Sequence, residues 1–226
     1  LKEKKLPEFI ITYNHQFSAS IISLIMSVLG AKWINICADA YNPNKHWTNF
    51  PFLPRLAKAN VFLSDWAYRN CPFGKRIFFW GGIPKRQPSL AHINDQKIKI
   101  MYSGMLNQWG GVSNFLQSIL KLDEFNYEII ITGHSRDDRF DRIIAEHDKK
   151  VRFYGLVSNE KLKELMEETH IFINPRPNNV DGNDMNFPSK IIEYLSFEKP
   201  IISTKTLGIP DYFNGVLYSL DESSDS

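Results

Sequence analysis

The stretch Ile171–Thr204, IFINPRPNNVDGNDMNFPSKIIEYLSFEKPIIST, decides the fold. It opens on the β-rich apolar run Ile171-Phe172-Ile173 and breaks at Asn174-Pro175, since a proline cannot donate to a sheet ladder. After a polar loop, Asn186-Phe187-Pro188-Ser189-Lys190 supplies an N-cap and an early proline ahead of Ile191, Ile192 and Leu195 at helical spacing. Pro200 ends that helix, and Ile201-Ile202-Ser203-Thr204 is the next strand of a parallel sheet. The loop and the helix start therefore fall at the carboxyl edge of the sheet, where open α/β sheets bind ligands.

Arg176, Ser189, Lys190 and Glu193 gather at that edge. Amides at a helix start attract an anion, a guanidinium grips phosphate through a fork, and a lysine adds a compact charge. Glu193, one turn into the helix, would repel phosphate and accept hydrogen bonds from sugar hydroxyls. The set fits a nucleoside diphosphate with its ribose. The same residues also suit a solvated surface, with Glu193 merely favouring the helix dipole.

The succession NPRP, a polar loop, FPSKIIEYLSFEKPIISTK and GIPDYF resembles the donor-binding signature of bacterial GT-B glycosyltransferases of the family 4 type. In that family two glutamates eight positions apart flank this helix, the second binding ribose. Glu193 matches the second; Met185 stands at the first, with Asp181 and Asp184 as loop acceptors nearby. Glu198 replaces the usual glycine just past the helix, where a left-handed residue is strained by about 1 kcal/mol or more. The resemblance implies two Rossmann-like domains with parallel sheets facing a cleft, the first of them incomplete. It also implies retaining transfer of a sugar from a UDP- or GDP-linked donor to a glycan or lipid-linked acceptor in cell-surface polysaccharide biosynthesis. Arg176 and Lys190 would stabilise the leaving diphosphate. A GT-B-type sugar-nucleotide epimerase, or a non-catalytic nucleotide-binding protein, are the alternatives.

Within the resemblance, Ser103–Gly111 is the first donor loop, with Gly104, Gly110 and Gly111 letting backbone approach phosphate. No basic residue lies between Ser103 and Leu120, so charge neutralisation falls on Arg176 and Lys190. His134, ending a strand at Gly133-His134, would hydrogen-bond the donor; solvation is the alternative. Asn14-His15 and Asp39-Ala40-Tyr41 each follow a strand. Asp39 is the acceptor-side candidate that would orient or deprotonate a hydroxyl, and both sites also suit turn-forming residues that cap the next element. The acidic loop Asp181-Gly182-Asn183-Asp184 comes with no further ligands, and the family relies on protein cations, so neither a metal nor a cofactor is expected.

Alternating elements divide the 226 residues into 1–82, the second half of an acceptor-side Rossmann-like domain, a linker at 83–96, and a donor domain at 97–226 without its final helix. The strands are expected at Phe9–Tyr13, Trp33–Cys37, Val61–Ser64, Ile77–Trp80, Lys97–Tyr102, Tyr127–Thr132, Val151–Tyr154 and Leu217–Ser219. Phe17–Leu29 is expected as a buried helix closed by Gly30; its uncharged stretch is shorter than the roughly 20 residues a membrane span needs. The start without methionine and the polar ESSDS end suggest a partial sequence. Residues 1–94 carry 12 Lys and Arg against 4 Asp and Glu, the remainder 15 against 21, for a net charge of +2. The basic first part favours peripheral contact with an anionic membrane surface over nucleic acid, for which no recognition motif is present. Cys37 and Cys71 form neither a disulfide framework nor a zinc spacing, which suits a reducing compartment, the cytoplasm.

Overall fold

The computed structural model describes residues 6–14, 17–39, 53–71, 74–82, 85–87, 97–134, 136–180 and 182–220. Most of the expected linker at 83–96, together with His15, Ala40, Tyr41 and Asp181, lies outside them.

Two sheets form, each with only parallel pairings. The first runs β1 (Phe9–Tyr13), α1 (Phe17–Val28), β2 (Lys32–Cys37), a 3-10 turn (Leu53–Leu56), β3 (Ala59–Phe62), α2 (Asp65–Asn70) and β4 (Arg76–Phe78), in the order β1-β2-β3-β4. Its register places Thr12 opposite Asn35 and Asn35 opposite Asn60. All three are buried. Thr12 Oγ1 donates to Asn35 Oδ1 (2.8 Å), Asn35 Nδ2 to Asn60 Oδ1 (3.0 Å) and Asn60 Nδ2 to the carbonyl of Pro54 (3.0 Å). Trp33 Nε1 closes the row on Thr12 Oγ1 at 2.9 Å. A one-residue slip would strand every one of these groups, so the ladder fixes the register. The compact unit of this sheet also includes the short segments Asp184–Phe187 and Thr206–Pro210; Met185 packs with Cys37, Phe62, Ala67 and Cys71.

The expectation of a buried α1 is overturned. The helix buries Ser20 and Ser23 and leaves Phe17, Ile21, Ile22, Ile25 and Val28 exposed. Small serines let it lie close on β1 and β2. β1, the edge strand beside it, exposes Phe9, Ile11 and Tyr13 in the same way.

The second sheet contains β5 (Ile98–Met105), α3 (Val112–Ile119), β6 (Tyr127–His134), α4 (Asp138–Glu146), β7 (Val151–Phe153), α5 (Asn159–Glu168), β8 (Ile171–Asn174), α6 (Lys190–Leu195), β9 (Ile201–Thr204), a 3-10 turn (Asp211–Phe213) and β10 (Tyr218–Leu220). The order is β10-β9-β8-β5-β6-β7. Alternate residues of β5 and β6 feed two cores. Ile100, Tyr102, Ile129 and Ile131 meet Leu116 of α3 and Phe140 of α4. Met101 and Ile130 join Phe172, Leu165 and Met166 of α5, and Tyr194 of α6. A sheet covered on both faces needs strands apolar on both sides, which is why Ile100-Met101-Tyr102 and Ile129-Ile130-Ile131 are continuous apolar runs at the centre of β5 and β6. The crossovers reverse direction between β5 and β8, the switch point at which such sheets open a ligand crevice.

Candidate functional site

The expected donor-side residues all belong to the second unit, and the structure draws most of them around the carboxyl ends of β5, β6 and β8. Gly104 lies opposite Gly133 and Met105 opposite His134, whose carbonyl accepts from the N–H of Leu106 at 2.8 Å. His134 itself is exposed at the rim.

The glycines of Ser103–Gly111 are required by protein packing. Gly111 sits at φ +72°, and a Cβ there would lie 1.9 Å from the carbonyl oxygen of Pro175. At Gly110 a Cβ would lie 2.3 Å from the phenol oxygen of Tyr102. The N–H groups of Gly110 and Gly111 both donate to the carbonyl of Asn107, and that of Trp109 to Asn107 Oδ1. The loop is thus a self-bonded turn pressed against the segment after β8, with its glycine amides already engaged.

Arg176 follows β8 and donates from Nε to Asn183 Oδ1 at 2.6 Å. Asn183, fully buried, donates from Nδ2 to the carbonyls of Trp109 and Pro177 at 3.0 and 3.1 Å. One amide therefore ties Arg176 to the glycine loop. Burial pushes the Tyr102 phenol upward, and the charge of Arg176 opposes that shift.

Lys190 and Glu193 are brought together with each other. Lys190 Nζ lies 2.6 Å from Glu193 Oε2, both side chains being partly exposed. Such a pair contributes only about 0.3–0.5 kcal/mol, so either partner is cheaply released to a ligand. Ser189 is the N-cap residue by position, but its side chain makes no capping bond. The amides of Ile191 and Ile192 bond back to the carbonyls of Pro188 and Ser189, so fewer helix amides are available than the sequence suggests. Tyr194 anchors α6: its buried ring stacks on Phe172 with centroids 4.4 Å apart, and its hydroxyl accepts from the N–H of Ser103 at 3.1 Å. The helix bearing Lys190 and Glu193 is thereby fixed one residue from Gly104.

Asp39 belongs to the first unit, at the end of β2. Its Oδ2 accepts from Asn14 Nδ2 at 2.8 Å, while Asn14 Oδ1 accepts from the N–H groups of Ala38 and Asp39. Asn14 adopts φ +55°, a conformation asparagine tolerates. Among the described residues no three His, Cys, Asp or Glu side chains gather as a metal site.

Residues 97–225 match the family described as Glycosyl transferases group 1. The chain belongs to that family. Solved structures that share the fold include a galactosyltransferase, a protein bound to UDP-glucose and a sucrose-phosphate synthase. The lipopolysaccharide outer core galactosyltransferase WaaB, in its apo form, aligns with a TM-score of 0.66 at 13% identity, covering 93% of this chain and 60% of that one. Anabaena Alr3699/HepE in complex with UDP-glucose gives 0.64 at 17%, covering 95% and 66%. Sucrose-phosphate synthase from Thermosynechococcus elongatus gives 0.63 at 13%, covering 88% and 56%. The chain spans 56% to 66% of the length of these proteins. No curated protein sequence matches it. The fold is the α/β, parallel-sheet fold of GT-B glycosyltransferases.

Tyr102, Asn183 and Tyr194 are the residues that sequence reasoning missed. Tyr102 and Tyr194 are hidden among apolar neighbours, and Asn183 sits in a loop whose acidic residues drew the attention. A polar residue inside an otherwise apolar run, as at Tyr102 and Tyr194, was the available signal.

Proposed function

We propose that this chain is the donor-binding part of a retaining, family 4-type glycosyltransferase that moves a sugar from a UDP- or GDP-linked donor to a glycan or lipid-linked acceptor of a cell-surface polysaccharide. The observation that carries the reading is the convergence, at the β5/β8 switch point, of Arg176, the glycine loop and the Tyr194-anchored helix with Lys190 and Glu193. One protein of the same fold, Anabaena Alr3699/HepE, was solved in complex with UDP-glucose, which supports the choice of ligand class.

In this reading the diphosphate displaces Glu193 from Lys190, and the freed carboxylate accepts the ribose hydroxyls. Departure of the nucleoside diphosphate builds negative charge on its terminal phosphate, which Arg176 and Lys190 stabilise. Asn183 holds Arg176 in place, so little reorganisation accompanies the step. Asp39, oriented by Asn14, serves the acceptor hydroxyl. No metal or cofactor takes part. The basic first part of the sequence supports contact with the inner membrane face, in the cytoplasm.

The test is a thermal-shift panel of UDP, GDP, ADP and CDP, followed by product analysis with the matching sugar nucleotides. A ligand at about 100 times its Kd adds about 2.7 kcal/mol of stability, enough to be seen. Stabilisation by UDP or GDP with a new glycosidic bond is expected. An epimerised donor, or binding without turnover by the full-length protein, would overturn the transferase reading.

A further inference from the structure

A pocket of about 180 Å³ opens at the amino ends of α3 and α4. Its lining includes Gln108, Ser113, Asn114, Asp137, Arg139 and Asn179. Asn107, Gln108 and Gly111 of the donor loop and Pro177, next to Arg176, border it; Arg176, Lys190 and Glu193 do not.

The hydrogen bonds around the pocket leave a mixed set of groups for a ligand. Gly111 gives α3 no side-chain cap, and the first-turn amides of a helix have no partner within it. Ser113 is only 7% exposed, yet its Oγ makes no hydrogen bond, a rare condition for a buried hydroxyl. Arg139 donates from Nη1 to Asn114 Oδ1 at 2.7 Å and from Nη2 to Gln117 Oε1, which fixes the Asn114 amide and leaves its Nδ2 as a donor. Asp137 accepts from the N–H of Phe140 at 2.8 Å through Oδ1, leaving Oδ2 as an acceptor. Pro177 and Val180 add apolar surface.

This combination selects against simple ions. A phosphate would use the α3 amides and Arg139 but meet the Asp137 carboxylate; a cation would use Asp137 but meet the positive end of α3 and the guanidinium. Neighbouring groups that each donate and accept satisfy both kinds of partner, and vicinal hydroxyls do so. The volume, several times the roughly 10–15 Å³ that holds one water, has room for a single sugar ring. We propose that this pocket is a saccharide subsite, on the outer side of the donor loop and apart from Arg176, Lys190 and Glu193, that takes one pyranose unit of a glycan. The proposal goes beyond the donor reading and does not depend on it.

The experiment is an NMR titration of the isotope-labelled 226-residue chain with D-glucose, D-galactose and N-acetylglucosamine, and separately with inorganic phosphate and UDP. At least one sugar should shift the amide signals of Gln108, Ser113, Asn114 and Asn179. Asn114→Ala, at an exposed position, and Ser113→Ala should each raise the Kd of that sugar at least fivefold without changing the response to UDP. Sugar shifts centred on Lys190 and Glu193, a response to phosphate alone, no response to any sugar, or an unchanged Kd in both variants would each overturn the proposal. Loss of the UDP response in the wild-type chain would instead count against the donor reading and leave the sugar result standing.

Discussion

The two sheets are built on opposite principles. The second buries apolar side chains on both faces and draws its polar residues to one edge, where Arg176, Lys190 and Glu193 stand. The first places a polar row, Thr12-Asn35-Asn60, inside the sheet and leaves an apolar face bare on α1 and β1. In the second sheet stability comes from nonspecific burial, and function from a few charges that the core does not need. In the first, a hydrogen-bonded ladder sets the register, and removing any member exposes the others to an apolar interior.

The sharpest way to break this contrast is Arg176→Ala. In the full-length enzyme it should lower kcat on the order of 10²–10³-fold, about 2.7–4 kcal/mol, by removing a preorganised donor from a developing oxyanion. The loss of stability should be limited to about 1–3 kcal/mol, from the one buried acceptor, Asn183 Oδ1, that loses its donor. Steady-state kinetics beside a melting curve measures both.

Asn35→Ala should do the reverse. It strands Thr12 and Asn60, at about 1–3 kcal/mol for each buried group left unpaired. Ile131→Val in the second sheet should cost only about 0.5–1.5 kcal/mol. Denaturant unfolding of the two variants compares them directly; equal losses would erase the distinction drawn between the sheets.

Glu198 adopts φ +53° just past α6, held also by Arg86 at 2.9 Å. Glu198→Gly should therefore stabilise the second unit by up to about 1 kcal/mol, reduced by the glycine's greater freedom when unfolded. Chemical denaturation would register a shift to lower denaturant as a failure.

The smallest effect at neutral pH concerns the thiols of the first unit. Burial pushes Cys37 up to about 12, reinforced by Cys71, and burial pushes Cys71 up to about 11 against the pull of Arg76. The folded chain keeps both protons while the unfolded chain loses them above the ordinary thiol value near 9. This contribution is thus intact below about pH 9 and is lost as pH rises from there toward about 12. A thiol reagent at about pH 8, below the ordinary thiol value, should label neither cysteine in the folded protein and both in denaturant.

These contrasts also explain what could be seen in the sequence. The central strands of the second sheet were legible because two-sided burial writes itself as short apolar runs such as Ile129-Ile130-Ile131, and β10 came out at Tyr218–Leu220 close to its expected place. The bending of Glu198 was legible because a position after a helix demands a particular φ. The burial of α1 was misread, since an apolar helix shows only that it has a face to cover and not what covers it. The glycine loop was legible as a turn but not as a tightly packed one, because the backbone that a Cβ at Gly111 would meet lies on the segment after β8. Likewise Lys190 and Glu193 were read as separate contacts, whereas three-residue spacing on a helix pairs them first.

That pair supplies the most direct test of the central claim, that a nucleoside diphosphate binds at the carboxyl edge of the second sheet. The measurement is calorimetric titration of UDP and GDP into the wild-type chain, Lys190→Ala and Glu193→Gln. If Lys190 passes from Glu193 to the diphosphate while Glu193 takes the ribose, both substitutions weaken binding, Glu193→Gln by about 1.5–3 kcal/mol, the worth of charged hydrogen bonds. Unchanged affinity in both variants, or tighter binding by Glu193→Gln because the carboxylate only competes for Lys190, would contradict the account.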